Sequence, residues 1–96
     1  LEAIRIRKKT LGDAHPDTAT VMHNLASLYS RLGRYHDSAK LNQEALNIFQ
    51  RTLGEYHPKT AMSMNNLAGV YLDLGDFVKA EQLCKRALEI RKRLFS

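Results

Sequence analysis

The residues of this chain that could do chemistry are few: His15, His23, His36 and His57, the single Cys84, and ten carboxylates. A catalytic centre needs a nucleophile and a base, or clustered metal ligands, converging in one pocket. His15 and His57 each precede a proline and recur in the same register, which is how a residue that starts a helix behaves. His23 and His36 have no matched ligand partner at helix spacing. Cys84 reads as a small apolar side chain at an interior helix position. One cysteine allows neither an internal disulfide nor a site that needs several thiolates, so reducing surroundings are expected. The sequence therefore names no catalytic, metal-binding or cofactor-binding residue, and implies neither an enzyme nor a small-molecule substrate.

Charge is the next candidate. Basic residues gather at Arg5, Arg7, Lys8 and Lys9, and again at Lys85, Arg86, Arg91, Lys92 and Arg93, within a formal net charge of +5. Such a balance draws acidic partners at long range but says nothing of fold. Aromatic residues do not interleave with these cations as base stacking requires, and no zinc-finger spacing is present. A solvated helix face is the simpler reading, and nucleic acid is a disfavoured partner.

The elements that position these residues come from an internal repeat. Leu11-Gly12, His15-Pro16, Thr18-Ala19, Asn24-Leu25-Ala26, Tyr29 and Leu32-Gly33 recur as Leu53-Gly54, His57-Pro58, Thr60-Ala61, Asn66-Leu67-Ala68, Tyr71 and Leu74-Gly75. From Gly12 to Gly54 the period is 42 residues. Glu2, Ala3, Ile6 and Thr10 match Glu44, Ala45, Ile48 and Thr52, so the chain is expected to begin inside a repeat.

Apolar residues fall three and four apart, as in Met22, Leu25, Ala26, Tyr29 and Leu32, which is helical and not strand periodicity. Pro16 and Pro58 suit a first helical turn, where a missing donor costs nothing. Gly33 and Gly75 can close helices in the left-handed conformation, and an aromatic residue opens the next helix two residues later. The spacing predicts helices near 1 to 11, 16 to 32, 35 to 52, 58 to 74 and 77 to 95. The expected fold is all-α, with antiparallel hairpins stacked as a right-handed solenoid: two full hairpins plus a preceding helix. Residues 1–96 form one array, with 1–14 as a second helix and connection, 15–56 as one repeat and 57–96 as the next.

Composition agrees, since 96 residues with 44% apolar and 26% charged side chains suit one globular unit. No stretch approaches the 18 or more apolar residues of a membrane span, and the opening LEAIRIRKKT lacks the apolar core of a signal peptide. A cytoplasmic location and no membrane partner are expected.

The pattern Asn-Leu-Ala-x-x-Tyr-x-x-Leu-Gly-x-(Tyr or Phe), followed by Ala45-Leu46 or Ala87-Leu88, resembles the tetratricopeptide repeat across nearly the whole chain. The 42-residue spacing and the Leu-Gly-x-x-His-Pro-x-Thr-Ala connection resemble, more narrowly, the repeats of kinesin light chains. The pattern departs from the family at Met22 and Met64, where tryptophan is frequent. It departs also at Ser38, where Ala80 keeps the small alanine, and at Asn42 and Cys84, a position that is usually aromatic.

That resemblance implies a concave groove lined by first helices, which holds an extended peptide or partner segment, as in an adaptor of cargo type. The groove face then carries Thr20, Asn24, Ser27 and Arg31 on one helix and Met62, Asn66, Gly69 and Asp73 on the next. Asn24 and Asn66 match the family asparagine that grips a ligand's main chain, because an amide both donates and accepts. His23 and Asn65 flank them, and with Ser27, Arg31 and Leu72 would read side chains. A chaperone-type carboxylate clamp is not expected, because these groove positions lack its lysines. Gly69 costs about 1 kcal/mol relative to alanine in mid-helix, and packing against a neighbouring side chain is the leading reason for it. Tyr29, Tyr35, Tyr71 and Phe77 are expected between helices.

Two other readings stand beside groove recognition. The segment could be a purely structural spacer, or self-associate through apolar array ends. Nucleic-acid binding through the basic second helices is the third.

Overall fold

The computed structural model describes residues 15–95, which form four helices: α1 (Pro16–Arg31), α2 (Tyr35–Thr52), α3 (Pro58–Leu74) and α4 (Phe77–Phe95). These match the expected helices to within a residue at each end. The expected helix near 1 to 11, and with it the first of the three segments of the array, lies outside the described residues. Among the described residues no strand is present. Packing runs in chain order, α1 on α2, α2 on α3 and α3 on α4, so two antiparallel hairpins stack on each other.

Both hairpins begin in the same way. His15 and His57 take extended backbone, and each ring accepts at Nδ1 from the N–H two residues on, Asp17 or Lys59, at 3.0 Å. This satisfies one of the free donors of a helix start, while the proline behind each histidine removes another. The hairpin turns also repeat. Arg34 N–H bonds to Tyr29 C=O and Gly33 N–H to Ser30 C=O, and in the second hairpin Asp76 bonds to Tyr71 and Gly75 to Leu72. This pair of closing bonds needs a left-handed residue, and Gly33 and Gly75 supply φ of 79° and 82°.

The helix spacing directs two apolar clusters, and α2 contributes to both. Its Ala45, Ile48 and Phe49 meet Ala19 and Met22 of α1. Its Ala39 and Leu46 meet Ala61, Met64, Leu67 and Val70 of α3, with Ala87 and Ile90 of α4 closing that cluster. Small residues sit at the contacts: Ala26 and Ala68 are fully buried, which lets helix backbones approach. Thr60 Oγ1 donates to Gly54 C=O at 2.8 Å and so ties the start of α3 to the connection before it.

Two expectations are corrected here. Phe77 does not fill space between helices, being 67% exposed. Cys84 is exposed and not an interior residue. Their register mates on α2, Tyr35 and Asn42, are covered to different degrees because α3 lies over them; α4 has no following helix among the described residues. Tyr35 and Tyr71 do pack, half-buried, against the larger cluster, and Tyr29 carries the Arg34 guanidinium 4.7 Å over its ring.

Phe49, at 1% exposure, is the largest fully buried side chain. Phe49→Ala is expected to cost about 3 to 5 kcal/mol in denaturant unfolding, while Phe95→Ala, at an 84% exposed position, stays within about 0.5 kcal/mol. His57→Ala should cost about 1 kcal/mol, and His57→Asn, which restores a cap acceptor, should recover most of it by the same measurement.

Candidate functional site

An open cleft of about 460 Å³ lies where α1, α2 and α3 meet. Helical spacing brings its walls together. Ser27 and Arg31, four apart on α1, face Asn66, Gly69 and Asp73, three and four apart on α3. Ser30, Asn42 and Val70 complete the lining.

The expected site residues divide accordingly. Ser27, Arg31, Asn66, Gly69 and Asp73 are gathered in the cleft. Thr20, Asn24 and Met62 lie further along the same faces and are exposed, whereas His23 and Asn65 are half-buried. Thr20 and Ser27 donate their hydroxyls to the carbonyls of Pro16 and His23, four residues back. Each keeps its oxygen lone pairs as acceptors.

The two asparagines are not equivalent. Asn66 Nδ2 lies 3.0 Å from His23 Nε2 and 3.4 Å from Nδ1, a link between α3 and α1 over a separation of 43 residues. The amide donates to an unprotonated ring nitrogen, which leaves Asn66 Oδ1 as the atom able to accept from a ligand. Asn24 is exposed and takes no such bond from a described residue. The expected ladder of two like amides is therefore one open amide and one that crosslinks the first helices.

Gly69 also differs from expectation. A Cβ built there meets nothing within 4 Å, so no side chain packs into the space. Its bareness opens the cleft and does not serve the core.

Sequence reasoning missed the floor. Ser38 Oγ donates to Ala26 C=O at 2.8 Å, lies 2.6 Å from Ser30 Oγ, and receives Asn42 Nδ2 at 3.5 Å. Asn42 is 3% exposed, and its Oδ1 has no hydrogen-bond partner. The available signal was the departure of Ser38 and Asn42 from the repeat pattern.

The basic residues of α4 are largely engaged. Arg86 pairs with Glu55, Lys85 with Glu81 at 3.0 Å, and the Arg93 guanidinium lies 4.5 Å over the Tyr56 ring. A smaller hollow of about 300 Å³ between Gln43, Tyr71, Lys79, Gln82, Leu83 and Arg86 lies between α2, α3 and α4. Among the described residues no three His, Cys, Asp or Glu side chains are placed to hold a metal, and no helix is long and apolar enough to cross a membrane.

Comparison with known proteins agrees with this architecture. No curated protein sequence matches the chain. Among solved structures, BtubC (BKLC) from P. vanneervenii is similar over 96% of this chain and 54% of its own, at 24% identity and a TM-score of 0.52. The chain thus spans about half the length of that protein, and the likeness is one of fold. The tetratricopeptide repeat model matches residues 1–51 and 22–93. Its repeats are, as a class, non-catalytic modules for protein–protein interaction, and with its 42-residue hairpins stacked in sequence this chain belongs to the tetratricopeptide repeat family.

Proposed function

We infer that this chain is a non-catalytic scaffold that holds an extended segment of another protein along the faces of α1 and α3. The observation that carries this reading is the open cleft itself. Its walls present Asn66 Oδ1, Ser27 and the unobstructed backbone at Gly69, with Asn24 further along the same side. Amides and hydroxyls of this kind match main-chain N–H and C=O groups, which every extended segment offers. A cytoplasmic adaptor, binding cargo or a regulatory partner, is the role that fits such a surface in a family of interaction modules.

A second reading has an observation of its own. Phe77, Cys84, Leu88 and Phe95 form an exposed stripe on α4. Their register mates are Tyr35, Asn42 and Leu46 on α2 and Leu53 just after it, of which Asn42 and Leu46 are buried. The stripe therefore suits another hairpin, from further repeats or from a second copy, and the segment could serve as a spacer or an assembly surface. Sedimentation equilibrium separates the readings: Leu88→Glu should abolish self-association and leave groove binding unchanged. The pairing of Arg86 and Lys85 with carboxylates argues against nucleic acid as the ligand of α4.

Selection of peptides on this chain, repeated on an Asn24→Ala/Asn66→Ala variant that keeps its helical circular dichroism, tests the groove directly. Groove ligands should lose on the order of 10-fold or more in affinity, as two main-chain hydrogen bonds imply. If every selected peptide binds both proteins alike, the groove reading fails.

Gly69 gives an independent check. Gly69→Ala should stabilise the chain by about 0.5 to 1 kcal/mol in denaturant unfolding, since helix propensity rises and nothing is struck. Gly69→Leu should keep the fold and weaken peptide binding by obstructing the cleft, as read by fluorescence anisotropy.

A further inference from the structure

The first helices end on the cleft with register-equivalent residues of opposite charge. Arg31 lies in the last turn of α1, and Asp73, 42 residues on, lies in the last turn of α3. Both line the cleft and both are exposed. Neither pairs with the other or with any other described residue, although ion pairs form elsewhere on the same surface.

The two charges stand differently towards their own helices. Free carbonyls at a helix C-terminus favour a cation, which suits Arg31, and repel a carboxylate. Asp73 has no basic residue in its turn to offset that repulsion. Its position is explained neither by its helix nor by a neighbour.

The floor beneath points the same way. Asn42 is 3% exposed and lines this cleft, with Oδ1 lacking a donor. Ser30, Ser38 and Asn42 form a polar set, whereas their mates one repeat later are Leu72, Ala80 and Cys84. Polarity is thus confined to the hairpin whose second helix floors the cleft.

We propose that the cleft is a subsite for two oppositely charged side chains of one extended segment, a carboxylate on Arg31 and a lysine or arginine head on Asp73. This rests on the groove reading above and adds the chemistry of the ligand. The guanidinium of Arg31 takes a carboxylate bidentately, and the Asp73 carboxylate accepts from an ammonium or guanidinium. Bare Gly69, one turn before Asp73, lets the ligand backbone come close. Two fixed charges impose an order: a segment running in one direction satisfies them as acid then base, or as base then acid, but not as both.

The test is a random dodecapeptide phage library panned on the wild-type chain and on an Arg31→Asp/Asp73→Arg variant, which keeps the net charge. Wild-type ligands should share an acidic and a basic residue at fixed spacing in one order, and the variant should select the reverse order. A wild-type ligand should bind the variant at least 10-fold more weakly and regain affinity when its own two charges are exchanged. Ligands that need Asn24 and Asn66 but ignore Arg31 and Asp73 overturn this proposal and leave the groove reading intact; no asparagine-dependent ligand at all overturns both. Without ligand, Asp73→Asn should raise Tm by about 2 to 6 °C as the repulsion from the α3 terminus is relieved. A lowered Tm would mean that Asp73 has a structural partner, and would overturn its assignment.

Discussion

The fold depends on α2 having two apolar faces. A single hairpin leaves one side of its second helix bare, and stacking removes that surface from water. Ala45, Ile48 and Phe49 look back to α1, while Ala39 and Leu46 look forward to α3. Because one helix serves both clusters, α2 ties the two hairpins together. The face on which α1 and α3 meet follows from that arrangement. So does the cleft, since its walls are first helices and its floor is the polar end of the same α2 contact.

Repeated and varied residues divide along this geometry. Residues that repeat with fidelity, such as the histidine-proline starts and the closing glycines, build the hairpins. Residues that break the repeat, such as Ser27 against Gly69 and Arg31 against Asp73, gather in the cleft. A solenoid can vary at such positions at little cost because each repeat touches only its neighbours.

The fold was legible in the sequence because its determinants are local or periodic: proline and glycine at helix ends, and apolar residues at three and four. The site was legible in outline only. Register places Asn24 and Asn66 on one face, yet the bond from Asn66 to His23 crosses between repeats, and periodicity carries no information about such a contact. Gly69 was read as a packing position because a helical glycine usually answers to a neighbour; here the neighbouring space is empty. Cys84 reads as interior from its place within a helix, but burial at that repeat position, which Asn42 shares, depends on a following hairpin. Asn42 shows the same limit from the other side, since its orphaned Oδ1 is a property of three helices together.

The central claim is that a partner lies across α1 and α3. The most direct measurement is an amide ¹H–¹⁵N shift map of the chain titrated with a selected peptide. The large shifts should fall at Asn24, Ser27, Arg31, Asn66, Gly69 and Asp73, with the outer face of α4 unmoved. Shifts concentrated at Phe77, Cys84, Leu88 and Arg91 would contradict it and place recognition on the end of the stack.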